Sequence, residues 1–191
     1  MSAAIEHPIG PHTVEDWLAA DQPGDGGRLE LIWGYWVVSP APAGRHQFIG
    51  DTLRSLLHDA HRSANRRDLY AVTGVGVQIN NALRTALIPD VVVLSGPPEE
   101  ISFPPERVRL VAEIWSPGNS LSERETKISA YAAAGIKYLW TIDQKSLVLS
   151  TYYLHEGRYR PAAEARPGQV TRIEAAPVPV EIDTAELAPW A

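Results

Sequence analysis

Two carboxylates stand where a buried strand has little use for them. In "LIPDVVVLS", residues 87–95, Asp90 is enclosed by Leu87, Ile88 and the run Val91 to Leu94. In "LVAEIWSPGNS", residues 110–120, Glu113 sits between Ala112 and Ile114. Taking an ionised carboxylate out of water costs several kcal/mol unless it is paired or bound to a metal. A lone acid at a strand end is more simply explained by solvent or by a backbone it caps. Two acids on neighbouring strand-like segments are harder to explain that way. If they converge they repel, unless a cation lies between them. Magnesium takes one or two carboxylates and keeps several waters, so this pair could supply its protein ligands.

A third residue extends the set. The stretch "SLSERETKISAYAAAG", residues 120–135, has helical spacing, with Leu121, Ile128, Tyr131, Ala132 and Gly135 on its inner side. Lys127 lies one turn before Tyr131 and can lean towards the sheet. A solvated surface lysine, paired with Glu123 at i,i+4, is the plainer alternative. Asp, Glu and Lys in this order suit metal-dependent phosphodiester hydrolysis. The acids hold a metal that lowers the pKa of its water, and the lysine orients that water or offsets developing charge. The same two acids could in principle serve a glycosidase. No sugar-stacking pattern accompanies them, and the chain is short.

These side chains need a scaffold, and the residue pattern supplies one. "HTVEDWLAA" reads as a short helix capped by Thr13, within a lead-in over residues 1–27. "RLELIWGYWVVSP" reads as two strands turning at Gly34. Residues 45–65 are helical: Phe48, Ile49, Thr52, Leu53, Leu56, Leu57 and Ala60 recur at three- and four-residue spacing, and His46 extends that line backwards. Arg54, His58, His61 and Arg62 form a second, basic line. "DLYAVTGVGVQIN", "RTALIPDVVVLS" and "VRLVAEIWSP" read as strands. Helix follows over 120–134, stopped at Gly135. "KYLWTID", "SLVLSTYYLHEG" and "RYRPA" are further strands in hairpins, and the proline-containing tail holds one more short strand. The expected class is therefore α/β or α+β, a mixed central sheet flanked by helices with an N-terminal β-hairpin, in a single domain over 28–191.

Composition bounds the chemistry. The 191 residues are 45% hydrophobic, enough for a proper core. There is no Cys, which removes disulfides, thiolate nucleophiles and Cys-type metal sites. No apolar run approaches the ~20 residues of a membrane span, and no secretory pattern opens the chain. A cytoplasmic protein that does not engage a membrane is expected. The net charge of -6 counts against tight non-specific binding to nucleic acid. The basic line with Arg66 and Arg67 could meet a phosphate backbone, although a solvated helix face also accounts for it.

The segments "RLELIWGYWVVSPAPAGRHQ", "PDVVVLS", "EIWSPGNS" and "ERETKISAYAAAGIKYLWTID" together resemble the Uma2 family, restriction-endonuclease-like proteins of the PD-(D/E)XK nuclease superfamily. The similarity runs roughly from Arg28 to Tyr153. It implies a restriction-endonuclease-like core and a metal-dependent endonuclease, with Mg2+ or Mn2+ as cofactor and nucleic acid, DNA foremost, as substrate. The superfamily's "PD" matches Pro89 and Asp90, and its second acid matches Glu113. The lysine usual two residues later is here Trp115, so the resemblance transfers that role to Lys127. The backbone carbonyl of Ile114 is implied as a further metal ligand beside Asp90 and Glu113.

Glu30 and His46 match upstream motifs and are implied as assisting residues. A solvent-facing strand position and a hydrogen-bonded core histidine are the respective alternatives. Ser116, in "SPG", is a weaker candidate because that tripeptide is ordinary turn chemistry. The competing function is an inactive nuclease fold acting as a binding module or homodimeric assembly. In that case Trp33, Tyr35 and Trp36 would supply a partner surface. Two observations separate the readings: whether Asp90 and Glu113 converge, and whether Lys127 turns inwards.

Overall fold

The computed structural model describes residues 10–190, and these hold thirteen strands and three α-helices. The first nine residues of the lead-in lie outside the described residues. Helix α1 (Val14–Ala19) opens on a reciprocal capping box, with Thr13 Oγ1 accepting from Asp16 N and Asp16 accepting from Thr13 N. Strands β1 (Arg28–Ile32) and β2 (Tyr35–Ser39) form an antiparallel hairpin. Its two turn residues, Trp33 and Gly34, both have positive φ, 55° and 84°. That is the two-residue turn whose twist suits a hairpin. Helix α2 (Gly44–Ser63) follows.

Two glycine- and proline-containing corners then set the architecture. "DLYAVTGVGVQIN" reads as one strand but forms two, β3 (Leu69–Thr73) and β4 (Gly76–Asn80). Gly74 between them has φ 69°, and the strands belong to different sheets. "RTALIPDVVVLS" divides in the same way, into β5 (Thr85–Leu87) and β6 (Val91–Ser95). Pro89 has no N–H for a ladder, and the chain changes sheet across Ile88, Pro89 and Asp90. Asp90 therefore lies in the crossing between two sheets, not inside a strand.

After β7 (Ser102–Phe103) come β8 (Val108–Trp115), α3 (Leu121–Ala133) and β9 (Tyr138–Asp143), in which α3 carries the chain between the parallel strands β8 and β9. Strands β10 (Leu149–His155) and β11 (Arg158–Ala165) add a hairpin. Strands β12 (Thr171–Ile173) and β13 (Val180–Ile182) pair with each other near the C-terminus. The main sheet has the order β11-β10-β9-β8-β6-β3 and a second sheet has the order β2-β1-β5-β4-β7. Both main sheets contain parallel and antiparallel pairs, as expected for a mixed α+β fold.

Three apolar clusters hold the layers together. Ile49, Leu53 and Leu57 of α2 pack on Val91, Val93, Leu110, Ala112 and Ile114, and the tail from Ala175 to Leu187 closes the same cluster. On the other face, Val92, Leu94, Val111 and Leu139 meet Ala130 and Tyr131 of α3 together with Val77, Ile79 and Leu87 of the second sheet. Val14 and Trp17 of α1 pack against Leu29, Leu31, Ala86 and Ile88.

Three side chains depart from the pattern read in the sequence, the first being Phe48, which is exposed with its ring edge-on to that of Trp190. Leu121 is exposed, so the inner face of α3 is Lys127, Ala130 and Tyr131. His61 is buried and leaves the basic line, because it continues the Ile49, Leu53, Leu57 row at four-residue spacing.

Candidate active site

Five elements deliver polar groups to one place. Strand β1 alternates: Leu29 and Leu31 pack towards α1, while Arg28 and Glu30 share the opposite face. The sheet crossing contributes Asp90. Strand β8 contributes Glu113 and the Ile114 backbone, α2 contributes His46 from its first turn, and α3 contributes Lys127 and Tyr131. These groups line or underlie a cleft of about 540 Å³, whose outer walls are the end of β2 with the loop 40–43 after it and residues 115–119.

Lys127 turns inwards. It is 7% exposed, and its Nζ lies 3.0 Å from Glu30 Oε1 and 3.5 Å from Glu113 Oε1. The i,i+4 partner read for it, Glu123, instead accepts from Asn119 Nδ2 at 2.7 Å. Two buried carboxylates close to the amine are a better counter-charge than one exposed residue. Burial works against the charged amine, but Glu113 and Glu30 outweigh it and hold the Lys127 pKa above its ordinary value. Lys127 is thus a fixed cation. Glu30 Oε1 also accepts from Ile88 N at 2.8 Å, tying β1 to the crossing that carries Asp90.

Asp90 and Glu113 face the same cleft, and Asp90 is tied to the backbone beside Glu113. Asp90 Oδ2 accepts from Ile114 N at 2.8 Å. Arg28 Nη1 donates to Asp90 Oδ1 at 2.5 Å. His46 Nε2 bridges Asp90 Oδ2 at 3.3 Å and Ile114 O at 3.1 Å. Burial alone would raise the Asp90 pKa, but His46, Arg28 and the Ile114 N–H bring it below the ordinary carboxylate range. Glu113 goes the other way. Burial pushes it up to about 7 against the pull of Lys127, with Asp90 and Glu30 adding repulsion. Tyr131 donates its hydroxyl to Glu113 Oε1. Burial opposes the charged form of His46, yet Asp90 raises its pKa overall.

The donor set fits a hard divalent cation. Asp90, Glu113 and the Ile114 carbonyl offer oxygen donors of the kind such a cation takes, and the pressure on Glu113 is that of a buried acid short of positive charge. Among the described residues no three His, Cys, Asp or Glu side chains are grouped closely enough to hold a metal by themselves. Two carboxylates, a carbonyl and waters would serve Mg2+ or Mn2+.

Sequence reasoning singled out Asp90, Glu113, Ile114, Lys127, Glu30 and His46, and all six meet here. Ser116 stands in the cleft wall beside them, with its N–H and Oγ both donating to Asn119 Oδ1 in a turn. Trp115 is buried with the Arg124 guanidinium over its ring at 5.5 Å, leaving the amine to come from α3. Arg28 and Tyr131 escaped notice as site residues. Both carried a signal: Arg28 is two residues from Glu30 and so on its strand face, and Tyr131 is one helical turn from Lys127.

Comparison with solved structures finds a likeness to a protein of Anabaena variabilis ATCC 29413 described as "a putative nuclease belonging to DUF820". The TM-score is 0.71 at 19% sequence identity, covering 94% of this chain and 99% of the other. At that identity the likeness speaks for the fold alone. No match is found among curated proteins. A family model does match, that of Uma2, described as "Putative restriction endonuclease", over residues 14–185. With nearly the whole chain covered, the protein belongs to the Uma2 family.

Proposed function

We propose that the protein is a divalent-metal-dependent endonuclease that hydrolyses phosphodiester bonds in nucleic acid, with DNA as the expected substrate. One observation carries the reading: three buried carboxylates and the inward-facing Lys127 converge beneath an open cleft. The family description and the described nuclease of the same fold agree with it. Asp90, Glu113 and the Ile114 carbonyl would hold Mg2+ or Mn2+. When bound, the cation would lower the pKa of a water and offset charge on the phosphate.

The protein's own groups do the rest. Lys127, kept charged between Glu30 and Glu113, acts as an electrostatic stabiliser for the attacking oxygen and the phosphoryl charge, not as a base. Glu30 holds that amine in place and anchors the 88–90 crossing. His46 steadies the Ile114 carbonyl and Asp90 from the α2 side. Hydrolysis adds water across one P–O ester bond, leaving a phosphate monoester and an alcohol.

The test is cleavage of supercoiled plasmid and labelled oligonucleotides with Mg2+ or Mn2+. Wild type should cut and lose activity in a chelator, whereas Asp90→Ala should be inactive. Cutting that survives in folded Asp90→Ala would overturn the mechanism. A second reading, an assembly module, draws on the exposed Trp33, Tyr35 and Val38 of the hairpin. It predicts a stable dimer that dissociates on Tyr35→Ser with no nuclease activity in either form.

A further inference from the structure

Arg28 has no role in the chemistry above, yet it sits in the middle of the site. Its side chain is 23% exposed and borders both the main cleft and an adjoining cavity of about 340 Å³ that shares His46, Asp90 and Ile114 with it. Only one of its three nitrogens is engaged: Nη1 donates to Asp90 Oδ1 at 2.5 Å and lies 3.4 Å from Ile88 O. Among the described residues Nε and Nη2 donate to no protein group, and neither is a buried orphan. One corner of the fork is anchored while its other edge stays open to solvent. A planar guanidinium presents paired N–H groups that match two oxygens of a phosphate.

We propose that Arg28 is a substrate-binding residue whose free Nε–Nη2 edge takes the non-bridging oxygens of a nucleic-acid phosphodiester while Asp90 and Ile88 O hold its Nη1. The inference rests on the nuclease reading for its substrate class. It adds where the strand is gripped: on the ridge between the two cavities, so that the chain to either side of the phosphate has one cavity to enter.

The experiment measures binding, not cleavage. A fluorescein-labelled DNA 20-mer, single-stranded and duplex, is titrated with wild type, Arg28→Gln and Arg28→Lys in Ca2+ by anisotropy at several salt concentrations, with thermal melts as a fold check. Neutralising one phosphate contact removes about one released counterion, so the slope of log K against log[salt] should fall by nearly one in Arg28→Gln. Its affinity should drop tenfold or more. Arg28→Lys should keep the slope and lose several-fold in affinity, because an ammonium cannot hold Asp90 and the phosphate together.

A merely structural arginine would change the melting temperature and leave the salt slope alone. An unchanged slope in folded Arg28→Gln overturns the proposal, as does full affinity in Arg28→Lys should Arg28→Gln fail to fold. Wild type that cuts DNA while Arg28→Gln binds with the same slope defeats the Arg28 assignment only. Wild type that binds through Arg28 without cutting defeats the nuclease reading only. Absence of any binding defeats both.

Discussion

Lys127 is the residue whose loss the interior can least absorb, because its ammonium answers two buried acids, Glu30 and Glu113. Lys127→Met keeps most of the side-chain volume and removes the charge. Breaking a buried pair this way costs about 3–5 kcal/mol, or on the order of 10 °C in melting temperature for a chain of this length. The deficit should depend on pH with a definite sign. The folded-state pKa of Glu113, about 7, stands above its ordinary 4.5. Its favourable contribution is thus present at low pH and is lost as pH rises from 4.5 through 7. Without Lys127 that pKa climbs further. Melts of Lys127→Met should therefore show a larger deficit at pH 8 than at pH 6, and adding Glu30→Gln should recover part of it. A deficit equal at both pH values would show that the amine does not neutralise Glu113. Tyr131→Phe tests the other contact. It removes the hydrogen bond that favours charged Glu113 and should cost about 1–3 kcal/mol at pH 8 with little change in α3 packing.

Elements rather than single residues explain what the sequence made legible. Helices α2 and α3 and the β1–β2 hairpin were readable because apolar spacing, caps and turn residues all agree there. The two sheet crossings were not readable as crossings. Leu69 to Asn80 and Thr85 to Ser95 are each mostly apolar on both sides of the crossing, so hydropathy does not divide either stretch into two strands. Gly74 and Pro89 are the marks, the one through its positive φ and the other through its missing N–H. The site was legible for the same reason the crossing was not. Asp90 is conspicuous because it interrupts an apolar run, whereas Arg28, the first residue of β1 directly after a polar loop, is not. The docking of α1 gives an element-scale test. Gly76 opens β4 beneath Trp17, whose Nε1 is pinned to Leu29 O at 2.7 Å. A Cβ on Gly76 would lie 2.3 Å from Trp17 Cη2 and 3.1 Å from Ser102 Cβ. The indole cannot yield without breaking that bond, so Gly76→Ala should cost about 1–3 kcal/mol and shift Trp17 fluorescence. A neutral Gly76→Ala would mean that α1 does not pack on β4.

Across the whole molecule α2 links the site to the tail, with a histidine at each end of its buried row. His46 faces the carboxylates. His61 lies in the interior near the other end, 1% exposed, and neither ring nitrogen meets a hydrogen-bond partner among the described residues. Burial lowers its pKa from 6.5 to about 4, with His58 and Arg66 adding repulsion and Asp68 opposing. A histidine with a lowered folded-state pKa contributes fully above 6.5, and that stability is lost as pH falls from 6.5 towards 4, on the order of 2–3 kcal/mol. Glu113 runs the opposite way over much of the same range, so in wild type the two slopes offset between about pH 4.5 and 6.5. His61→Leu removes one slope, fills the same space and eliminates two unpartnered polar atoms. Its urea-unfolding free energy should exceed that of wild type, increasingly so below pH 6, and its optimum should move to lower pH. Parallel pH profiles for the two proteins would place the acid sensitivity outside α2. A shifted optimum would show that the far end of the helix carrying His46 into the cleft loses stability when the buried His61 imidazole gains a proton.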